Sequence, residues 1–319
     1  GRTGTLRRAN RRFCMTYSFD TPCRVEQQVR AIADYQIGAA LGELDRDEEN
    51  REDIVHDVRL RCKKLRGLIR LVRPAFAGYK AENAAFRHIA HLFEDMRDAK
   101  VMQDNYDALI AAFEDQVDRS AFASVRREMT SRRKAVLARA DWDALRGKAR
   151  EALVEARDRA RGWSLEAEGW GAIEDGLAKT HKRAVKAMDR AVRDPTGPNH
   201  HEWRKRAKYH WYHTRLLKHA FPQALKPRAA TIKDLCDMLG DHHDMHVFIE
   251  TLEGEPGAFG EAETIALLRA MAERRSEELE NEARALGDRL FAEGTGALTA
   301  RIGAYWSAWE TQAQPADAA

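Results

Sequence analysis

HDVRLRCKKLRGLIR at residues 56–70 and HEWRKRAKYHWYHTR at residues 201–215 are one pattern written twice. Each opens on a histidine, sets an arginine three residues on and a lysine four beyond it: His56, Arg59, Lys63 and His201, Arg204, Lys208. Arg61 matches Arg206, and Arg70 matches Arg215. On an α-helix, offsets of 0, 3, 7, 10 and 14 fall within roughly an 80° arc. His56, Arg59, Lys63, Arg66 and Arg70 therefore make one cationic stripe. Like charges at that spacing repel each other, so a stripe built twice points to an anionic ligand.

The repeat reaches further. FEDMRDAKV at 93–101 parallels LGDHHDMHV at 239–247, with Asp95, Asp98 and Val101 matching Asp241, Asp244 and Val247. Two motifs in the same order at nearly the same separation indicate an internal duplication. Strand signals are nearly absent, and the prolines sit at boundaries. Helices are expected at about 23–44, 52–73, 81–97, 99–117, 165–193, 199–219, 225–240, 242–253, 261–291 and 296–310, with a charged helical stretch over 119–161. The fold class is all-α, with four helices per half and the basic helix second. The expected organisation is a basic N-terminal arm over 1–20, a first half with junction helices over 21–160, a second half over 161–311 and a tail over 312–319.

Opposite faces give the orientation. Val58, Cys62, Leu65, Ile69 and Val72 form an apolar stripe about 130° round from the cations, and Trp203, Ala207, Thr214 and Leu217 match it. Each basic helix thus packs by one flank and presents charge from another. A pseudo-twofold axis between the halves would bring both cationic faces to a shared groove or channel. The helix before the second motif adds Lys179, Lys182, Lys186, Arg190 and Arg193 at the same kind of spacing.

A solvated surface helix is the plain alternative, but such a face interleaves acids. Residues 56–73 hold seven Lys or Arg against one acid, and residues 201–219 hold six against one. Net charge is only +3, so the positive charge matters where it is concentrated. Eight of the 12 histidines lie between 200 and 246; His56 and His201 head the stripes, whereas His210 faces the apolar side. Charging of the stripe histidines near pH ~6.5 would strengthen anion binding at acidic pH. HHDMH at 242–246 and His88-x-x-His91 offer metal-ligand types, but not the paired Glu-x-x-His pattern of a di-iron bundle, and no metal site is expected. Asp98 and Asp244 are read as orienting a basic side chain or starting a helix. The acidic run SEELENE at 276–282 reads as a solvated helix beside Arg274, Arg275 and Arg284. No phosphate-binding Gly-rich loop, nucleophile elbow or HExxH occurs, so no enzyme and no cofactor are expected. Four widely spaced cysteines point to a reducing cytoplasm, and no apolar run approaches a membrane span.

The His-x-x-Arg-x-Arg/Lys-x-Lys helix in two tandem helical halves, each followed by an RD…V or D…HDxHV segment, resembles the CHAD family, the conserved histidine α-helical domain. The resemblance covers about residues 20–255 and extends on to about 310. It implies two pseudo-symmetric tandem four-helix bundles of long helices around a central basic channel that binds inorganic polyphosphate. It also implies association of some members with polyphosphate granules. By carry-over, His56, Arg59, Lys63, Arg66 and Arg70 fill the first motif, and His201, Arg204, Lys208 and Arg215 the second. Trp211 stands where the first copy has Arg66. The family's aromatic and glycine in the preceding helix appear as His181 and Ala184, next to the carried-over Lys182 and Lys186. The triphosphate tunnel domain fused to some members has no counterpart in this sequence. Other polyanions, single-stranded nucleic acid above all, are the competing ligands, and a metal-dependent phosphohydrolase is the competing enzyme.

Overall fold

The computed structural model describes residues 17–47, 49, 51–116 and 119–313. The N-terminal arm up to residue 16 and the tail from residue 314 lie outside the described residues. Among the described residues there are twelve α-helices and no strand. The first half holds α1 (Val25–Glu43), α2 (Arg51–Leu71), α3 (Tyr79–His91), α4 (Glu94–Ala112), α5 (Ala123–Arg139) and α6 (Trp142–Arg161). The second holds α7 (Glu174–Arg193), α8 (Gly197–Leu216), α9 (Pro222–Gly254), the one-turn α10 (Pro256–Phe259), α11 (Ala262–Leu290) and α12 (Thr295–Ala313).

Local chemistry explains the basic helices. Glu52 and Asp53 in the first turn of α2 and Arg70 in its last turn complement the helix dipole. Pro198 sits in the first turn of α8, where a missing N–H costs nothing. The apolar flank read from the sequence is the buried one: Val58, Cys62, Leu65, Ile69 and Val72 on α2, and Trp203, Ala207, Thr214 and Leu217 on and just after α8.

The halves differ from the expected four helices each. In the first, the third helix breaks at Phe93, which leaves helical geometry (φ −112°, ψ 18°) and buries its ring 6.2 Å from Trp142. In the second, the expected break between 240 and 242 is missing, and α9 runs through. Gly240 is no terminator there. It lies inside the helix, and a Cβ on it would make only an ordinary contact with Arg204, 3.6 Å from Nη2. The helix expected from 165 begins only at Glu174, after a 3₁₀ turn at Gly169–Ala172.

Matched elements make matched contacts. α1 packs on α2 as α7 packs on α8, and α2 packs on α3 and α4 as α8 packs on α9. Across the halves, α2 packs on α8 and α4 on α9. The second of these joints has its own apolar core, where Tyr106, Leu109, Ile110 and Phe113 of the first half meet Met245, Phe248 and Leu252 of α9. The halves therefore share buried surface and do not hang from a linker. α6 lies against α1 and α3, so the junction segment is part of the first bundle.

Candidate functional site

The two basic helices cross at Gly67. An added Cβ there would lie 2.9 Å from Cβ of Tyr212 and 2.7 Å from the Tyr17 hydroxyl. Gly67 and Tyr212 are each the eleventh residue after the leading histidine, so the crossing pairs one repeat position with its own counterpart. Buried His213 donates from Nε2 to the Gly67 carbonyl at 3.2 Å, and Tyr17 donates to the Lys64 carbonyl at 2.7 Å. Burial, with Arg73 and Arg70 nearby, lowers His213 to about 3, so it is a neutral donor. The cation rows on either side are held in fixed register by this joint.

None of the nine arginines and lysines expected in the site forms an ion pair among the described residues. The off-stripe matched pair does the opposite: Arg61 pairs with Glu43 at 3.4 Å and Arg206 with Glu202 at 2.5 Å. Charge on the outer flank is thus cancelled, and charge on the stripe is left available. The stripe cations are steadied by neutral partners. Arg59 donates to the Ala90 carbonyl. Arg66 and Arg70 share the Asn83 Oδ1 at 3.1 and 3.2 Å. Arg70 is buried, with its guanidinium 4.0 Å from the Tyr209 ring centre. In the second row, Lys208 and Arg215 lie 5.1 and 4.8 Å from the Trp211 ring centre.

Lys63 ties the rows together. Its side chain is open to solvent, yet desolvation by surrounding protein is the main cause that lowers its pKa to about 7. A group that is wet and densely surrounded at once lies in a concavity and not on a convex face. The further causes are Arg59 on its own helix, Arg97 on α4, and Arg204 and Lys208 on α8. Cations of both halves therefore converge on one place. Lys208 and Arg59 are likewise lowered, chiefly by burial. Asp244 is an acid among them, as is Asp98; burial raises the Asp244 carboxyl despite Arg204, Arg97 and Lys63.

His201 sits in a more crowded environment than its place at the head of the second stripe implied. His201 stacks on His243 with ring centres 4.7 Å apart. Burial first, then Lys205 and Arg204, lowers His201, and burial with Arg204, His201 and Arg97 lowers His243 to about 3. The His201 ring is therefore held neutral where an unperturbed imidazole would begin to charge. His56 is exposed at the head of α2, and His210 is fully buried, as its apolar face implied.

Arg97 is the residue that sequence reading left out. It acts on Arg59, Lys63, His201, His243 and Asp244. Its repeat counterpart is His243, and the signal lay in the matched RD and HD dipeptides. Arg73 was also missed: burial, then Arg183 and Arg70, lowers it to about 10. Lys182 and Lys186 stand exposed on α7 on either side of that Arg183 in sequence. Neither aspartate starts a helix: Asp98 lies in the second turn of α4, paired with Arg97 at 2.8 Å, and Asp244 lies deep within α9. A cleft of about 530 Å³ opens from Arg97, His243 and Asp244 toward apolar Met102, Val247 and Phe259.

The CHAD domain profile matches residues 25–253, more than half of the 319-residue chain. No curated protein matches the chain.

Proposed function

The chain belongs to the CHAD domain family, and on that premise we propose that it binds inorganic polyphosphate along the paired cation rows of α2 and α8, and through it associates with polyphosphate granules. The observation that carries this reading is Lys63, which is open to water yet surrounded by Arg59, Arg97, Arg204 and Lys208 from three helices of both halves. Bringing like charges together costs free energy in the empty protein, and a flexible anionic chain offsets that cost. Arginine forks and lysine point charges can bond successive phosphates along a strand. The matched contacts of the two halves support a pseudo-twofold arrangement with the groove along its axis. The role proposed is binding and not catalysis.

Single-stranded nucleic acid is the weaker reading because it needs free aromatic faces on which bases stack. Trp203 is buried. The Trp211 ring is occupied by Lys208 and Arg215, with Tyr212 packed 5.0 Å away. The test is a competition for labelled long-chain polyphosphate between unlabelled polyphosphate and single-stranded DNA at equal phosphate concentration. Polyphosphate should compete at lower concentration, with affinity falling steeply as salt rises. Stronger competition by DNA overturns the reading. Phosphate release from polyphosphate or ATP that is lost on chelation would instead establish a phosphohydrolase.

A further inference from the structure

We infer that His200, His242 and Glu280 form a binding site for one divalent transition-metal ion, zinc being the best fit, that joins α8, α9 and α11. The site is separate from the cation rows, because His200 precedes His201 by one residue and so faces about 100° away round the helix. Three donor atoms, one from each residue, lie within 4.8 Å of one another. Nε2 of His200 is 3.7 Å from Oε2 of Glu280, and Nε2 of His242 is 3.9 Å from the same oxygen. Those distances are too long for hydrogen bonds. They are close to the roughly 3.4 Å edge of a tetrahedron whose metal–ligand bonds are about 2.0–2.1 Å.

The protonation pattern agrees. His200 is 1% exposed, and its Nδ1 lies 3.1 Å from the Thr196 carbonyl oxygen. A carbonyl only accepts, so Nδ1 carries the proton and Nε2 the lone pair. That Nε2 has no hydrogen-bond partner. A ring oriented by a backbone carbonyl, with its other nitrogen free, is the usual arrangement of a zinc-bound histidine. His242 is buried beside His200, with the two imidazole ring centres 4.3 Å apart. Glu280 is half-buried and leaves an open side for entry and for water as the remaining ligand. Two imidazoles and one carboxylate suit zinc and its late first-row neighbours better than magnesium or calcium.

The repeat supplies an independent comparison. The positions matching His200 and His242 are Val55 and Met96, both buried in the apolar core of the first half. An apolar contact there needs no partner. Replacing it by two buried imidazoles leaves Nε2 of His200 and Nδ1 of His242 unpaired, and a cation bound beside Glu280 would satisfy the first. The sequence reading expected no metal; it weighed His242 within HHDMH and read Glu280 as part of a solvated acidic run.

The 319-residue chain without an added tag, freed of metal by chelation and dialysed against zinc, should take up one equivalent. Zinc in excess should raise its melting temperature by about 5 °C, and cobalt should give the visible absorption of a four-coordinate site. E280Q should retain the helical circular dichroism and bind zinc at least about tenfold more weakly, as loss of a ligand requires. H200V/H242M, which installs the first half's residues, should lose the equivalent altogether. Absence of stoichiometric zinc in the parent chain overturns the proposal. Undiminished affinity in E280Q also overturns it, whether or not the double variant folds. Zinc retained by a folded H200V/H242M chain would place the ion elsewhere, for instance on His201 and His243, with the same consequence.

Discussion

The two cation rows share three of the first row's four Arg and Lys positions but hold them in different ways. On α2, Arg59, Arg66 and Arg70 are fixed by a backbone carbonyl and a side-chain amide. On α8, Lys208 and Arg215 are fixed by the ring of Trp211. Trp211 occupies the place of Arg66, so the second row exchanges one cation for a surface on which two others rest. Neither solution uses a carboxylate. That shared avoidance teaches more than the difference, since an ion pair would order a cation equally well but cancel the charge a ligand needs. Arg61 and Arg206, on the outer flank, show that the chain uses ion pairs where cancellation does no harm.

The harshest way to break the comparison is to reverse one charge in each row. K63E/R204E should lower polyphosphate affinity by at least about 100-fold, since like charges would then face the ligand from both sides. Fluorescence anisotropy at fixed salt measures it, and a loss below about threefold would remove the rows from the site. Next comes the joint between the rows. Gly67→Ala should destabilise the fold by about 1–3 kcal/mol in urea denaturation, because the new methyl meets Tyr212 and Tyr17. Gly147→Ala, with nothing near its Cβ, should instead add about 0.5–1 kcal/mol.

A pH series sharpens the electrostatics. Lys63 carries its charge below about 7 and loses it above. Affinity for polyphosphate should therefore fall several-fold as pH rises from about 6 to 8.5, and Lys63→Arg, charged throughout, should flatten the profile. The linkage runs the other way for the empty protein. Between about 7 and 10.5 the unfolded lysine holds a proton that the folded one has released, so this group's contribution to stability improves as pH rises through that window. The smallest effects separate the two kinds of support. Asn83→Ala and Trp211→Ala should each weaken binding by about two- to fivefold, the scale of one lost hydrogen bond or cation–π contact. Near-complete loss in Trp211→Ala alone would mean that the ring meets the ligand directly, as a stacked base would.

Much of this was legible in the sequence because helix periodicity is a local property. The buried flanks of α2 and α8 and the all-helical class followed from periodicity and composition, and the duplicated motifs carried the resemblance to the family. The true break before α4 was not legible, because it depends on a tertiary partner: Phe93 turns out to reach Trp142. Arg97 escaped because it is a single cation on a helix without a stripe; only the fold brings it to Lys63. The lowering of His201 was hidden for the same reason. Desolvation is a property of surroundings, and two adjacent letters such as His200 and His201 can face unrelated environments.

The contact between Gly67 and Tyr212 restricts what can be assembled from the pieces of this chain. Two copies of the N-terminal portion would oppose hydrogen to hydrogen at that spot and leave a gap; two copies of the C-terminal portion would oppose phenol to phenol and could not close. Each portion has specialised to the other's shape, so neither would rebuild the trough as a homodimer.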